Sequence, residues 1–341
     1  MLRAAHRPPQ PDGGKALTST SPITAHAQCS VILAAPAAAL SRLLGEIERW
    51  PLVFGPIVYA AAAEDRPHGV DLWVHADGGR VVHWTGEQWA QPDGLRFTFR
   101  RRPTAAEATA AGPIAAGAAH GAWTLESQGP ASTRVTLSWG ARPGKDRAVD
   151  SPFGAGGPAD RLAEFAAYAE LGESHSALVF AFEDTVHARG SAEDALRFLA
   201  RVQDWPGAIS HVAAVTLDEP EPGVQFVGTA VRTGDGGVQE VPSIRLCMAD
   251  RVVYTPLTVP PFASAHLGEW IVTRRPDGTA AITGRHTVAL RPDRIAAAFG
   301  PHATPADARS RVRAALGAHS LATLEAARSH AESLAATTTG E

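Results

Sequence analysis

The sequence predicts an α+β protein made of two tandem copies of one domain, each a curved antiparallel sheet wrapped around a long C-terminal helix. Three observations carry this. First, one short stretch occurs twice, as Glu48-Arg49-Trp50-Pro51 and Gln203-Asp204-Trp205-Pro206. Upstream the copies align without a gap, Leu43-Leu44-x-x-Ile47 over Phe198-Leu199-x-x-Val202, and the two tryptophans are 155 residues apart. That period is far too long for a solenoid and equals one ordinary domain. Second, each copy continues into strand-like segments divided by Gly, Pro and Asp, at the spacing of antiparallel hairpins. Third, each half ends in an amphipathic helical segment, and an antiparallel sheet must bury one face.

The elements follow in order. Residues 1–24 read as a disordered tail. Residues 26–34 read as a strand, and Pro36 suits a first helical turn. Leu40, Leu43, Leu44 and Ile47 fall at i, i+3, i+4 and i+7, so one face of this helix is apolar. Trp50-Pro51 is expected to end it, because proline disfavours helical geometry at the residue before it. Strands are expected at about 57–64, 70–76, 80–89, 95–101, 119–127 and 133–140, with an Ala/Gly/Pro-rich loop at 104–119. On the second of these strands Asp71, Trp73 and His75 share a face, expected to point outward. The glycine cluster Gly154-Ala-Gly-Gly157 precedes a helix at about 158–171 with Leu162, Phe165, Ala166 and Ala169 on one face. It follows no strand and lacks a Lys-Ser/Thr pair, so it reads as a linker rather than a phosphate cradle.

The second copy repeats the order. Residues 179–187 read as a strand, Ser191-x-x-Asp194 resembles a capping box, and Ala195, Phe198, Leu199 and Val202 form the apolar face. Strands are expected at about 211–217, 223–231, 237–247, 251–256, 266–274 and 279–290. Thr304-Pro305-x-Asp307 is a helix start. The helix from 305 to about 335 spans roughly 45 Å at ~1.5 Å per residue, with Gly317 as a point of weakness. The N-terminal domain is read as 25–172, a linker as 173–177, the C-terminal domain as 178–336, and 337–341 as a second disordered tail.

Of the 341 residues, 45% are hydrophobic and 19% charged, a globular composition long enough for two cores. The net charge of -4 and the lack of a Lys/Arg run give no electrostatic footprint for nucleic acid. No apolar stretch approaches the ~20 residues of a membrane span. Cys29 and Cys247 lie in different halves, which excludes a disulfide scaffold and fits a reducing cytoplasm. There is no His-Glu-x-x-His, paired Cys-x-x-Cys, Gly-x-Ser-x-Gly or nucleotide fingerprint, so nothing here implies a metal or redox cofactor.

The Trp-Pro stretch, the glycine hairpin before a strand (Gly79 and Gly236) and a tryptophan in a late strand recur in both halves. Each half thereby resembles the helix-grip domains of the START/SRPBCC superfamily. The repeat, over residues 26 to about 335, resembles the di-domain aromatase/cyclases of bacterial type II polyketide synthases. The resemblance implies an enzyme that directs intramolecular aldol condensation and then dehydration of a poly-β-keto chain, giving the first aromatic ring. It implies a chain borne by an acyl carrier protein and usually reduced once by a ketoreductase. It also implies a pocket arginine, on the strand after the glycine hairpin, that binds and polarises substrate oxygens.

Aligned through Gly79 and Gly236, Trp84, Gly86 and Gln88 lie over Val241, Ser243 and Arg245. The second copy carries the family's arginine and the first has glutamine there, which puts first-domain catalysis by that mechanism in doubt. An isolated arginine more often faces solvent. In a pocket, its fixed positive charge and planar fork suit holding an enolate oxygen better than abstracting a proton. His120 and His266 each precede a tryptophan, in Ala119-His120-Gly-Ala-Trp123 and Ala265-His266-Leu-Gly-Glu-Trp270. Histidine is the natural general acid or base at neutral pH, although a strand histidine is more often structural. His266 is preferred because it shares a domain with Arg245, and Tyr254 is a second proton donor. Trp50, Trp84, Gln88, Trp123, Trp205, Ser243 and Trp270 are the candidate pocket lining; core packing is the commoner fate of any one tryptophan. The competing reading is a non-catalytic START-type carrier of an apolar ligand, and a third is a scaffold with collapsed pockets. Polar groups converging in a cavity favour the enzyme, and an all-apolar lining favours the carrier.

Overall fold

The computed structural model describes residues 26–76, 79–104, 118–142, 151–233 and 236–338. The tail expected at 1–24, residues 339–341 of the tail expected at 337–341, and most of the 104–119 loop lie outside the described residues, whereas residues 337 and 338 close the last helix.

The first half runs β1 (His26–Leu33), α1 (Ala37–Gly45), α2 (Trp50–Val53), β2 (Ile57–Ala62), β3 (Gly69–Ala76), β4 (Arg80–Gln91), β5 (Gly94–Arg101), β6 (Ala118–Gly129), β7 (Ser132–Arg142) and α3 (Pro158–Ala169). A helical turn, α4 (His175–Leu178), leads into the second half. There follow β8 (Val179–Ala188), α5 (Ala192–Ala200), α6 (Trp205–Ala208), β9 (Val212–Glu221), β10 (Val224–Arg232), β11 (Val238–Cys247), β12 (Arg251–Pro256), β13 (Ala263–Arg274), β14 (Ala280–Leu290), α7 (Pro292–Phe299) and α8 (Pro305–Thr338). Both halves form a seven-stranded antiparallel sheet of the same order, β1-β7-β6-β5-β4-β3-β2 and β8-β14-β13-β12-β11-β10-β9. This is the α+β tandem helix-grip architecture.

Local chemistry explains the helix starts. Ser191 Oγ accepts from the Asp194 backbone N–H at 3.0 Å and opens α5. At α8 the box is reciprocal, with Thr304 N–H donating to Asp307 and Asp307 N–H to Thr304 Oγ1. At α3 the Asp160 carboxylate accepts from Gly157 N–H at 2.8 Å. An acid of the chain itself therefore occupies the place an anion would take.

Three features differ from expectation. Trp50-Pro51 and Trp205-Pro206 do not end the long helices. Those stop at Gly45 and Ala200, and each Trp-Pro instead begins a one-turn helix with proline in its first turn. Proline there has no intrahelical bond to lose, which outweighs its effect on the preceding residue. Second, α7 was not foreseen, although Pro292 and Gly300 (φ 109°) bracket its alanine-rich run. Third, the terminal helices are unequal, 12 residues in α3 and 34 in α8. Gly317 does not interrupt α8.

The halves pack through the second sheet. Ile244, Leu246, Val253 and Leu267 are buried in one apolar cluster with first-half residues such as Trp50, Leu52 and Val58. Thr255 Oγ1 donates to Val58 O across the joint at 2.9 Å. The face bearing Asp71, Trp73 and His75 does point away from the first core, since Val70, Leu72, Val74 and Ala76, which alternate with them, are buried. It is nonetheless engaged: Asp71 meets His83 and Arg66, Trp73 stacks on His83, and His75 lies against Phe226. No helix among the described residues is long and apolar enough to cross a membrane.

Candidate active site

Side chains alternate along a strand. On β11, Ile244 and Leu246 face the first domain, so Ser243 and Arg245 face inward. They open onto a cavity of about 780 Å³ between the second sheet and α8. That volume fits a small-molecule site. Its apolar wall includes Val231, Val241, Phe262, Val288 and Leu316.

The strand register brings four residues into one row. Arg245 pairs with Tyr254, Tyr254 with Gly268, and Gly268 with His286, across β11, β12, β13 and β14. His266 and Trp270 lie two residues either side of Gly268 and share its inward face. Arg245 is only 2% exposed. Its Nη1 donates to Gln225 Oε1 at 3.1 Å, and Nη2 donates to Leu199 O at the end of α5. The guanidinium lies 4.9 Å from the Trp205 ring centre and 5.5 Å from that of Trp270. Burial lowers Arg245 to about 10, so it stays cationic. Tyr254 stacks on Trp270 at 4.3 Å. Its hydroxyl meets His286 Nδ1 at 3.3 Å, and His266 Nε2 meets the same atom at 3.1 Å. Burial pushes His266 down to about 3 and His286 to about 4, so both imidazoles are neutral at neutral pH. Burial also raises the Tyr254 phenol, against the attraction of Arg245.

Four polar atoms on the cavity-lining residues have no partner in the described structure: Arg245 Nε, Trp270 Nε1, His286 Nε2 and Ser320 Oγ. Buried polar groups are rarely left unpaired, and these four have almost no accessible surface of their own, so they belong to the wall of the cavity rather than to its open face. At another part of the lining, His211 and His319 stack at 4.5 Å.

The candidate residues therefore separate into two groups. Arg245, His266, Tyr254, Trp205, Ser243 and Trp270 all line this cavity. Trp50, Trp84, Gln88 and Trp123 do not; they are buried in the first core. There the equivalent row reads Gln88, Phe97, Gly121 and Trp139, joined by the same register. Ala119 and Trp123 flank Gly121 as His266 and Trp270 flank Gly268. Gln88 Nε2 donates to Leu44 O at 3.3 Å, the counterpart of the bond from Arg245 to Leu199 O. His120, offset by one from Ala119 and Gly121, belongs to the opposite face.

Phe153 fills the first interior. Its ring centre lies 5.6 Å from Trp50, 5.7 Å from Phe54, 5.4 Å from Phe97, 6.5 Å from Trp123 and 5.2 Å from Trp139. The chain turns sharply after it at Gly154 (φ 73°), where a Cβ would sit 2.3 Å from Pro56. Sequence reading missed Phe153, His286, Gly268, His211, His319 and Ser320. For His286 the usable signal was the alternation Ile282, Gly284, His286, Val288 along a strand whose inward face is otherwise apolar or small.

A seven-stranded grip around a mainly apolar cavity with a few polar groups in its wall defines a helix-grip protein. The chain is 36% identical over 311 residues to the actinorhodin polyketide synthase bifunctional cyclase/dehydratase of Streptomyces coelicolor, covering 85% of this chain and 92% of that one. It is 32% identical over 316 residues to the granaticin counterpart of Streptomyces violaceoruber, covering 89% and 93%. Among solved structures it resembles the di-domain ARO/CYC StfQ of steffimycin biosynthesis (TM-score 0.75, 29% identity, 91% of this chain and 99% of that chain). It likewise resembles the di-domain ARO/CYC BexL of BE-7585A biosynthesis (TM-score 0.73, 31% identity, 91% and 99%). No protein-family model matches. The chain belongs to the polyketide synthase bifunctional cyclase/dehydratases.

Proposed function

We propose that the protein cyclises and dehydrates a carrier-protein-bound, ketoreduced poly-β-keto chain to form its first aromatic ring, and that the second domain is the reaction chamber. One observation carries this: Arg245, Tyr254, His266 and His286 converge on one cavity, whereas their first-domain equivalents, Gln88, Phe97, Ala119 and Trp139, lie buried in the first core and hold no comparable proton-transfer group. A poly-β-keto chain offers an oxygen at every second carbon, and a cavity with a few polar groups among apolar walls suits such a chain.

The roles follow from chemistry. The buried cation of Arg245 stabilises the oxygen that gains charge as the enolate or aldolate forms, where a preplaced charge acts most strongly. Neutral His266 takes the proton from the activated methylene, and Tyr254 supplies one to a departing hydroxyl. Trp205, Trp270 and the apolar wall fold the chain so that one methylene meets one carbonyl and competing condensations are suppressed. The converging polar groups count against a purely apolar carrier. The first domain braces the outer face of β11 to β13. The partners are an acyl carrier protein and a ketoreductase, and the free cysteines Cys29 and Cys247 suit a reducing cytoplasm.

The test is reconstitution. A ketoreduced chain is built in situ on its carrier protein, with and without this protein, and the products are read by mass spectrometry. The expected outcome is a change from a mixture of shunt products to one aromatised species lighter by water. An unchanged mixture, with the protein folded and the chain present, rejects the reading.

A further inference from the structure

We infer that His286 joins His266 and Tyr254 into one proton relay for the loss of water, closed through a gap that Gly268 leaves in the sheet. This rests on the cyclase/dehydratase reading above and adds to it Gly268 and His286, whose first-domain counterparts are Gly121 and Trp139, so that only the second row holds a relay.

The geometry turns on one atom. Tyr254 Oη and His266 Nε2 approach the same nitrogen, His286 Nδ1, at 3.3 and 3.1 Å. A ring nitrogen of neutral imidazole either donates one proton or accepts one. Nδ1 therefore serves its two neighbours alternately, and moving one proton changes which of them it serves. Phe182 stacks on His286 at 4.9 Å and holds the ring in place, with the Arg313 guanidinium 4.4 Å beyond that phenyl ring. Burial and the charge of Arg313 both disfavour a lasting imidazolium there. His286 thus passes a proton on rather than storing it.

Gly268 makes the meeting possible. It stands between Tyr254 and His286 in the cross-strand row. A Cβ at this position would lie 2.0 Å from Tyr254 Cζ and 2.5 Å from its hydroxyl oxygen. Any side chain larger than hydrogen moves the phenol off His286.

The step balances. In dehydration of the aldol adduct, the C–H bond next to the carbonyl breaks, the C–O bond to the hydroxyl breaks, and a carbon–carbon double bond forms. His266 takes the carbon-bound proton. Tyr254 gives its proton to the leaving hydroxyl, which departs as water. His266 then passes its Nε2 proton to His286 Nδ1, which delivers it to the phenolate; all three groups are neutral again, with His266 in its other tautomer, and proton exchange with water between its ring nitrogens resets it before the next turnover. Arg245, beside Tyr254 in the row, steadies the transient phenolate. His286 is a positioning residue in this scheme, because it acts through the two groups that touch the adduct.

The experiment uses the full chain, the in situ carrier-bound ketoreduced chain as probe, and three variants: His286→Asn, Gly268→Ala and Tyr254→Phe. Asparagine keeps a polar atom near the Nδ1 place and so holds the neighbouring rings, but it does not relay protons. Tyr254→Phe removes one oxygen and keeps the shape, so it remains informative if a bulkier change weakens folding. Melting curves accompany each variant. For all three, the expected result is accumulation of a cyclised adduct heavier by one water. Water loss should slow about 100-fold, the scale of a general acid or base, while consumption of the starting chain changes by less than about threefold. A folded His286→Asn protein that gives dehydrated product in wild-type proportion overturns the relay, since a ring that merely packs is rescued by such a substitution. Equal slowing of cyclisation and dehydration overturns it too. Wild-type protein that leaves the chain unchanged overturns the cyclase reading and the relay together, so the two failures are distinct.

Discussion

Across the first sheet the central row reads Gln88, Phe97, Gly121, Trp139, and across the second it reads Arg245, Tyr254, Gly268, His286. The backbones are equivalent, both rows keep the glycine, and both anchor their first member to the last carbonyls of the helix above. What differs is the volume left over. In the first domain Trp139 and the inserted Phe153 take up the interior as rings, and in the second the corresponding space stays open as the cavity that Arg245, Tyr254 and His286 line. The lesson is that a grip becomes a chamber or a core through a few inward side chains and one connecting segment, with strand order and register held constant.

The strongest way to break this comparison is at Phe153. Replacing it with alanine should cost about 3–5 kcal/mol, the usual penalty for a large aromatic deleted from a packed core. Chemical denaturation measures this, and the product pattern should not change. A Phe153→Ala protein that is as stable as the wild type would mean that Phe153 is not a core residue.

Next comes the charge. Arg245→Ala should lower the rate of product formation about 100-fold, the scale set by one oxyanion donor. Gln88→Leu, at the equivalent place, should change it by less than about threefold on that same scale. Parallel progress curves decide this, and equal losses would erase the distinction between the domains.

A smaller effect lies in pH. His211, His266 and His286 are held below 6.5, at about 4, 3 and 4, first of all by burial. The unfolded chain binds more protons than the folded one once the pH falls below about 6.5. The stability that these histidines contribute is therefore full above that pH and is lost as the pH drops from about 6.5 through 4. Carboxylates with lowered values, such as Asp71 and Asp194, lose theirs only below about 3.8. Melting temperatures from pH 7.5 to 4.5 should fall in the wild type and fall less steeply in a His266→Asn, His286→Asn double variant. Parallel curves would place the effect elsewhere.

The smallest effect is expected at His120. Its alanine variant should leave rate and product pattern unchanged, because its face of β6 is not the face of the row.

Much of this was legible in the sequence. The repeat, the succession of antiparallel strands along each half and the inward place of Arg245 all follow from periodicities that a linear text preserves, whereas the pairing of each half's first strand with its last does not. Parity alone separates the two histidines: His266 is four residues from Trp270 and so shares its face, whereas His120 is three from Trp123 and so does not. His286 was not legible, because its meeting with Tyr254 depends on the register of β13 against β14 and on a glycine between strands. Phe153 sits in a stretch without periodicity, so nothing local announces that it turns inward. The tryptophans Trp50, Trp84 and Trp123 look like pocket lining in sequence because burial in a core and burial against a ligand select the same side chain.

Strand β11 carries one further consequence. Its residues alternate between the chamber, at Ser243 and Arg245, and the neighbouring domain, at Ile244 and Leu246. A duplicated copy is ordinarily free to drift once its partner keeps the activity. Here that freedom is curtailed on one side, because the first copy's surface at α2 and β2 is the mould against which the working copy's sheet is cast. Its interior is open to change, and its outer contour is inherited under constraint. A chimera that exchanges the second domain between relatives should then succeed only when this facing contour travels with it.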